Sequence, residues 1–301
     1  MLSEEFIRAP LRIMWNDWRG RFGIVILFLY IMMGTIGVWL IDTPTAFAGE
    51  PRTGPFQSIN HILGTTNIGQ DLFALIVHST PAMLIMIAAG GMFTAILGTV
   101  VGTIAGYKGG NLDQVLMTVS DIVMTVPGLP LVAVLAVTIE PENPAIVGII
   151  LAVNGWALLA RVVRSQVLTI REKSFVEASR AMGIPGWKII LRDILPGLMP
   201  FITINAVSAG RKIIFNAVGL YFLGLLPYTS LNWGVIMNNA YTNDAMTNLD
   251  MAYWIIIPSL TVILLSYALI MLAQSTDYVF NPKVRTKHMK TGETTTATEE
   301  L

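Results

Sequence analysis

The sequence contains a run of twenty residues, 22–41, without a single charged side chain. A helix of that length extends for about 30 Å, which is the thickness of the hydrocarbon core of a membrane. Further apolar runs follow, and 54% of the chain is hydrophobic while only 13% is charged. Because soluble domains carry about 25% charged residues, the sequence predicts an all-α integral membrane protein.

Six transmembrane helices are predicted, at about 22–41, 79–105, 114–139, 145–160, 198–224 and 251–273, within one domain that covers 22–276. Before them, charged residues alternate with Trp15 and Trp18 in segment 1–21, which predicts an interfacial helix. After them, we expect the cytoplasmic tail 277–301 to be partly disordered. A signal peptide is the alternative for the first run, since residues 46–48 resemble a cleavage site, but the run is longer than the apolar part of such a peptide.

The positions of the basic residues predict the orientation. All 19 Lys and Arg residues except Arg52, Arg211 and Lys212 lie on one side of this six-span arrangement. Cytoplasmic segments carry the excess of Lys and Arg in membrane proteins. We therefore expect a plasma-membrane protein whose two termini and whose long charged loop, 161–197, are all cytoplasmic.

Several classes of site find no support in the sequence. There are no cysteines, the three histidines are scattered, and no G-x4-G-K-[ST] phosphate loop occurs. We therefore expect no metal site, no catalytic residue and no cofactor in this chain. Its net charge of zero gives no reason to expect a nucleic-acid partner.

The charged loop contains a distinctive pattern of spacing. Glu177, Ala178 and Ser179 are followed by Gly183, and further on by the pair Leu195-Pro196. Ser174 and Glu177 have the spacing of a capping box, so a short helix is predicted to begin at Ser174 and to end at Gly183. Its small face, formed by Ala178, Ala181 and Met182, would suit a groove in another protein. An ordinary solvated helix is the alternative.

This pattern resembles the EAA signature of the membrane subunits of bacterial and archaeal ABC importers, with Ser179 in place of the second Ala. Residues from about 61 to 282 resemble the C-type permease subunit of the dipeptide/oligopeptide/nickel importer family. The residues that carry the resemblance outside the loop include Gly64, Thr65, Gly69, Asp71, Gly106, Tyr107, Asp121, Pro127, Gly155, Trp156, Arg161, Arg164, Gln166, Gly224, Trp233 and Gly234.

The resemblance implies a type I ABC importer permease with a coupling helix in the EAA loop. The partners that it implies are a second homologous permease, two cytoplasmic ATPases that bind ATP and Mg²⁺, and an extracytoplasmic binding protein. Di- or oligopeptides are the expected cargo, with oligosaccharides or nickel as alternatives. A self-sufficient secondary transporter or channel would also have six spans, but it would not explain the EAA spacing.

Three ionisable residues lie within the predicted spans and are candidates for the translocation path: Asp121, Arg211 and Lys212. A structural ion pair is the alternative for all three, and a cap on a neighbouring helix is a further alternative for Asp121. Gly98, Gly102 and Gly106 recur every four residues and predict close helix packing, either within the chain or at a gate or subunit interface. The family pattern is not kept at Thr66, Gln70, Arg211, Lys212 or Ala217, so the resemblance indicates the cargo less firmly than the fold.

Overall fold

The computed structural model describes residues 14–226 and 231–280, and its regular elements are helices. Two of the long helices contain a short π-helical segment, Met33–Gly37 in the first and Ile190–Ile194 in the eighth. In chain order the helices are α1 (Trp18–Leu40), α2 (Leu72–Lys108), α3 (Gly110–Thr125), α4 (Gly128–Ile139), α5 (Pro144–Leu151), α6 (Gly155–Arg171), α7 (Ser174–Ala181), α8 (Gly186–Phe222), α9 (Trp233–Thr242) and α10 (Tyr253–Phe280).

Four helices, α1, α2, α8 and α10, are long and apolar enough to cross a membrane on their own. The remaining apolar segments form two bent pairs. The axes of α3 and α4 meet at 86°, and those of α5 and α6 meet at 57°. The six spans predicted from the sequence are reached when each bent pair counts as one span.

The helices extend beyond the apolar runs that predict them. α2 begins at Leu72, before the predicted start at residue 79, because the Asp71 carboxylate accepts a 2.9 Å hydrogen bond from the Ala74 N–H and caps the helix. α8 begins at Gly186, inside the predicted loop. α1 begins at Trp18, so residues 18–21 continue directly into the first span. The rest of the predicted interfacial helix, 1–13, and the tail from 281 lie outside the described residues.

Two large groups of buried side chains hold the bundle together, and a third, small group consists of Trp156, Ala157 and Ala160 on α6. The larger group lies where α2, α8, α9 and α10 meet, and it includes Leu72, Met83, Ile213, Tyr221, Trp233 and Leu265. The smaller group joins α6, α7 and the first half of α8, and it includes Val163, Val167, Val176, Ile189, Ile194 and Leu198. The smaller group therefore attaches the predicted coupling helix to the membrane-spanning part.

Candidate functional site

Three glycines of α2, Gly98, Gly102 and Gly106, lie against α6. A β-carbon at Gly102 would be 2.3 Å from the Ala160 carbonyl oxygen, and one at Gly98 or Gly106 would be 2.9 Å from a carbonyl oxygen of α6. The two backbones can approach this closely only because the three residues lack side chains. Of the alternatives left open by the sequence, the structure shows packing within the chain, since α6 covers this face.

The short helix α7 has one buried and one exposed face. Val176 and Ser179 are buried against the bundle, while Glu177, Ala178 and Ala181 are exposed. The exposed face also carries two large apolar side chains, Phe175 and Met182, which are 48% and 70% exposed. Since Phe175, Ala178 and Met182 recur at helical spacing, they form one apolar strip, which we call the docking strip.

The two ends of α7 are built differently. Gly183 has a φ angle of +73°, and the N–H groups of Gly183 and Ile184 donate to the carbonyls of Arg180 and Ser179 over 2.9 and 3.1 Å. This is the Schellman arrangement that ends helices at glycine, as predicted. The predicted capping box at the other end is wrong. Ser174 is the first helical residue, and Lys173 precedes it as the cap without a side-chain hydrogen bond.

Three side-chain contacts join α7 and the neighbouring part of α6 to α8, α2 and α3. The Ser179 hydroxyl donates a 2.9 Å hydrogen bond to the Asp193 carboxylate in the π-helical segment of α8. The Arg180 guanidinium lies 5.1 Å from the ring centre of Tyr107, at the end of α2. Arg164 makes a two-bonded ion pair with Asp113 of α3, with one N–O distance of 2.6 Å. The loop is therefore fixed to the ends of the spans.

The distal Leu195-Pro196 pair begins the regular α-helical part of α8, directly after the π-helical segment. Leu195 packs against the smaller buried group, and Pro196 is exposed. Proline has no N–H to donate and fits best in the first turn of a helix. The pair thus marks the point where the EAA loop ends and the regular membrane-spanning part of α8 begins.

Asp121 lies beside Arg161. Its carboxylate accepts a hydrogen bond from the Arg161 guanidinium, which joins α3 to α6, and both side chains are about half exposed. Of the roles considered for Asp121 from the sequence, this geometry favours a structural ion pair over a place in the translocation path.

The two helix breaks are joined by one side chain. Asn154 lies between α5 and α6, and its amide Nδ2 donates to the carbonyls of Val123 and Val126 over 3.0 and 3.1 Å. Val123 belongs to the last turn of α3, and Val126 follows the helix directly as its C-terminal cap. Because the helix ends before Pro127, these carbonyls lack partners inside it. The Asn154 amide satisfies them and fixes the sharp turn into α4.

A cavity of about 510 Å³ lies between these breaks and α8. Four of its polar residues lie on α8 at intervals of three or four positions, and two more come from α2 and the α5–α6 break. The six are Asn205, Ser208, Lys212, Asn216, Thr94 and Asn154. Only Lys212 was singled out from the sequence, although the period of the polar residues in the fifth span would have predicted the others on α8.

The neighbouring cations Arg211 and Lys212 lie on different sides of α8. Lys212 lines the large cavity, whereas Arg211 lines a smaller one of about 140 Å³ between α8 and α10, beside Gln274. Within residues 14–226 and 231–276, neither cation has a carboxylate close enough for an ion pair. The structural ion pair considered from the sequence is therefore not formed in this part of the chain.

The family described as "Binding-protein-dependent transport system inner membrane component" matches residues 98–286. The dipeptide transport system permease of Bacillus subtilis is 29% identical over 87% of this chain and 81% of its own length. The glutathione transport system permease of Pectobacterium atrosepticum is 28% identical over 95% of both chains.

The fold is also similar to that of a solved ABC transporter structure. A chain of the MetNI methionine ABC transporter, in an inward-facing conformation, superposes with a TM-score of 0.51 at 20% sequence identity. The match covers 67% of this chain and 96% of the other. The shared helical arrangement agrees with the membrane bundle described above.

Proposed function

The chain belongs to the family of binding-protein-dependent transport system inner membrane components, and from this premise we propose that it is a peptide-carrying subunit of its importer. It is a multi-pass permease of an ABC importer and not the catalytic subunit, since ATP is hydrolysed by the partner ATPase. The transporter also includes a binding protein. We propose that the complete assembly contains a second homologous permease and two ATPases, and that both termini of this chain are cytoplasmic.

The exposure of the docking strip supports the proposal that this chain works as a permease together with a partner ATPase. Phe175 and Met182 expose apolar surface on a helix whose other face is fixed to the bundle. Exposed apolar side chains grouped on one face are typical of a protein–protein contact. We assign the strip to a cleft of one ATPase, which would cover it.

The route of coupling follows from the contacts of α7. When the ATPases close around ATP, α7 moves with the ATPase that holds it. Val176 and the Ser179–Asp193 hydrogen bond transmit this movement to the start of α8. α8 lines the large polar cavity, so its displacement changes access to the translocation path.

The cargo follows from the relatives. Those described above carry dipeptides or glutathione, and both ligands are small peptides. We propose peptides as the cargo of this chain. All of the ATP and Mg²⁺ chemistry then belongs to the partners, and this chain needs no cofactor of its own.

Reconstitution of the full transporter in vesicles tests this function. We expect ATP-dependent uptake of a labelled dipeptide that requires the binding protein, and no ATP turnover by the purified chain alone. Uptake by this chain without an ATPase would instead identify a self-sufficient transporter or channel. Uptake of Ni²⁺ or an oligosaccharide in place of the peptide would refute the cargo and leave the permease function intact.

A further inference from the structure

The cavity of about 510 Å³ beside α8, which we call the large cavity, has hydrogen-bond donors in its walls. Lys212 supplies an ammonium group, and Gly128 and Leu129 supply the first turn of α4. Gly155 begins α6 beside them, but its N–H already donates to the Ala152 carbonyl over 2.9 Å. The first N–H groups of a helix have no acceptor inside it and carry partial positive charge. No Asp or Glu is present among the described residues that line the cavity.

An unpaired hydroxyl group lies in the same wall. Thr94 is only 3% exposed, and its Oγ1 has no hydrogen-bond partner among the described residues. It lies close to the start of α6, where a β-carbon at Gly155 would be 3.2 Å from it. A buried hydroxyl without a partner costs free energy, which a bound ligand would recover. This observation is independent of Lys212 and also indicates a ligand.

We propose that this cavity binds a carboxylate of the transported solute, with Lys212 as the counter-ion, Thr94 as a hydrogen-bond donor and the N-terminal turn of α4 completing the site. Lys212 is exposed on the wall of this cavity at membrane depth, where a cation requires an anion or water near it. The described lining of the cavity supplies no carboxylate. The C-terminal carboxylate of a peptide has the required chemistry. This inference rests on the proposed function for the identity of the solute.

Charge-selective labelling of the full transporter tests the site without depending on the cargo. The chain has no cysteine, so Ala209→Cys, one helical turn from Lys212 on the cavity wall, places a single thiol in it. We expect an anionic methanethiosulfonate to react faster than a cationic one. Replacing Lys212 by Gln should lower this rate ratio about tenfold, since a unit charge at this distance acts oppositely on the two reagents.

Arg211→Gln is the matched control, because it removes the adjacent cation from the other cavity. It should leave the ratio unchanged. A ratio that is insensitive to Lys212→Gln, or that falls equally with Arg211→Gln, overturns the carboxylate site. This outcome is read from labelling alone, so it is separate from any failure of peptide transport.

Uptake of trialanine and of its C-terminal amide gives a second readout. The Lys212→Gln transporter should lose most of its preference for the free acid while it still hydrolyses ATP, whereas Arg211→Gln should keep the preference. An unchanged preference in Lys212→Gln contradicts the site. If the unmodified transporter takes up neither compound, the peptide cargo is wrong, and the labelling ratio still decides whether the cavity selects anions.

Discussion

Ser179 of α7 donates a 2.9 Å hydrogen bond to Asp193 in the π-helical segment of α8. This hydrogen bond links α7 to the helix that lines the cavity. Ser179 is buried, and Asp193 is partly buried. A movement of α7 therefore acts on α8 through a defined pair of atoms.

Replacing Ser179 by Ala should weaken this link. We expect a stability loss of about 1 kcal/mol and fewer peptides transported per ATP hydrolysed, while assembly with the ATPase persists. Asp193→Asn is the control, because it keeps an acceptor oxygen and should change the transport ratio less than Asp193→Ala. If all three variants transport as many peptides per ATP hydrolysed as the unmodified transporter in vesicles, the hydrogen bond does not transmit the movement.

Gly183 should tolerate Asn but not Val. Its φ of +73° is a conformation that costs residues with a β-carbon about 1–2 kcal/mol, most of all β-branched ones, and that Asn adopts more readily. No other atom would lie within 4 Å of an added β-carbon, so the expected effect is conformational and not steric. Uptake per inserted transporter should fall strongly in Gly183→Val and little in Gly183→Asn. Similar uptake by both would contradict the role of this turn.

Gly102→Ala should loosen the contact between α2 and α6. The new methyl group would meet the Ala160 carbonyl oxygen at 2.3 Å, and overpacking of this kind typically costs about 1–3 kcal/mol. Gly219→Ala is the matched control, because its methyl group would contact nothing within 4 Å. Thermal unfolding in detergent should occur at a lower temperature for Gly102→Ala only. A comparable shift for both variants would argue against the close packing.

Asn154→Leu should destabilise the two helix breaks together. The carbonyls of Val123 and Val126 would lose their donor, at a cost of about 1–3 kcal/mol. Asn205→Leu is the control, since Asn205 lines the same cavity but bonds only within its own helix, to Phe201. We expect a lower unfolding temperature for Asn154→Leu than for Asn205→Leu. The reverse order would show that Asn154 does not hold the breaks.

The sequence predicted the features that depend on local chemistry. Apolar runs predicted the membrane helices, the glycine repeat predicted the close contact of α2, and Gly183 predicted the end of α7. Features that depend on distant partners were not predicted. Pro127 indicated a kink, but the 86° bend also involves Asn154, which lies far along the chain. For Asp121 an ion pair was considered, but the sequence did not indicate that Arg161 is its partner.

The prediction of the translocation path also left out the direction in which each side chain points from its helix. Arg211 and Lys212 were considered as a pair because they are adjacent in sequence. Adjacent residues on an α-helix point about 100° apart, since there are 3.6 residues per turn. The structure accordingly places them in different cavities, and it brings Lys212 together with Asn205, Ser208 and Asn216 instead.

Site-specific photo-cross-linking from Met182 tests the central claim most directly. Met182 is 70% exposed on the docking strip, and Phe56 is 83% exposed on the segment predicted to lie outside the cell, so a photoreactive residue at Phe56 is the control. In the assembled transporter, we expect the probe at position 182 to cross-link to the ATPase and the probe at position 56 not to do so. Efficient assembly and transport without any ATPase cross-link from position 182 would contradict the assignment of α7 as the coupling helix.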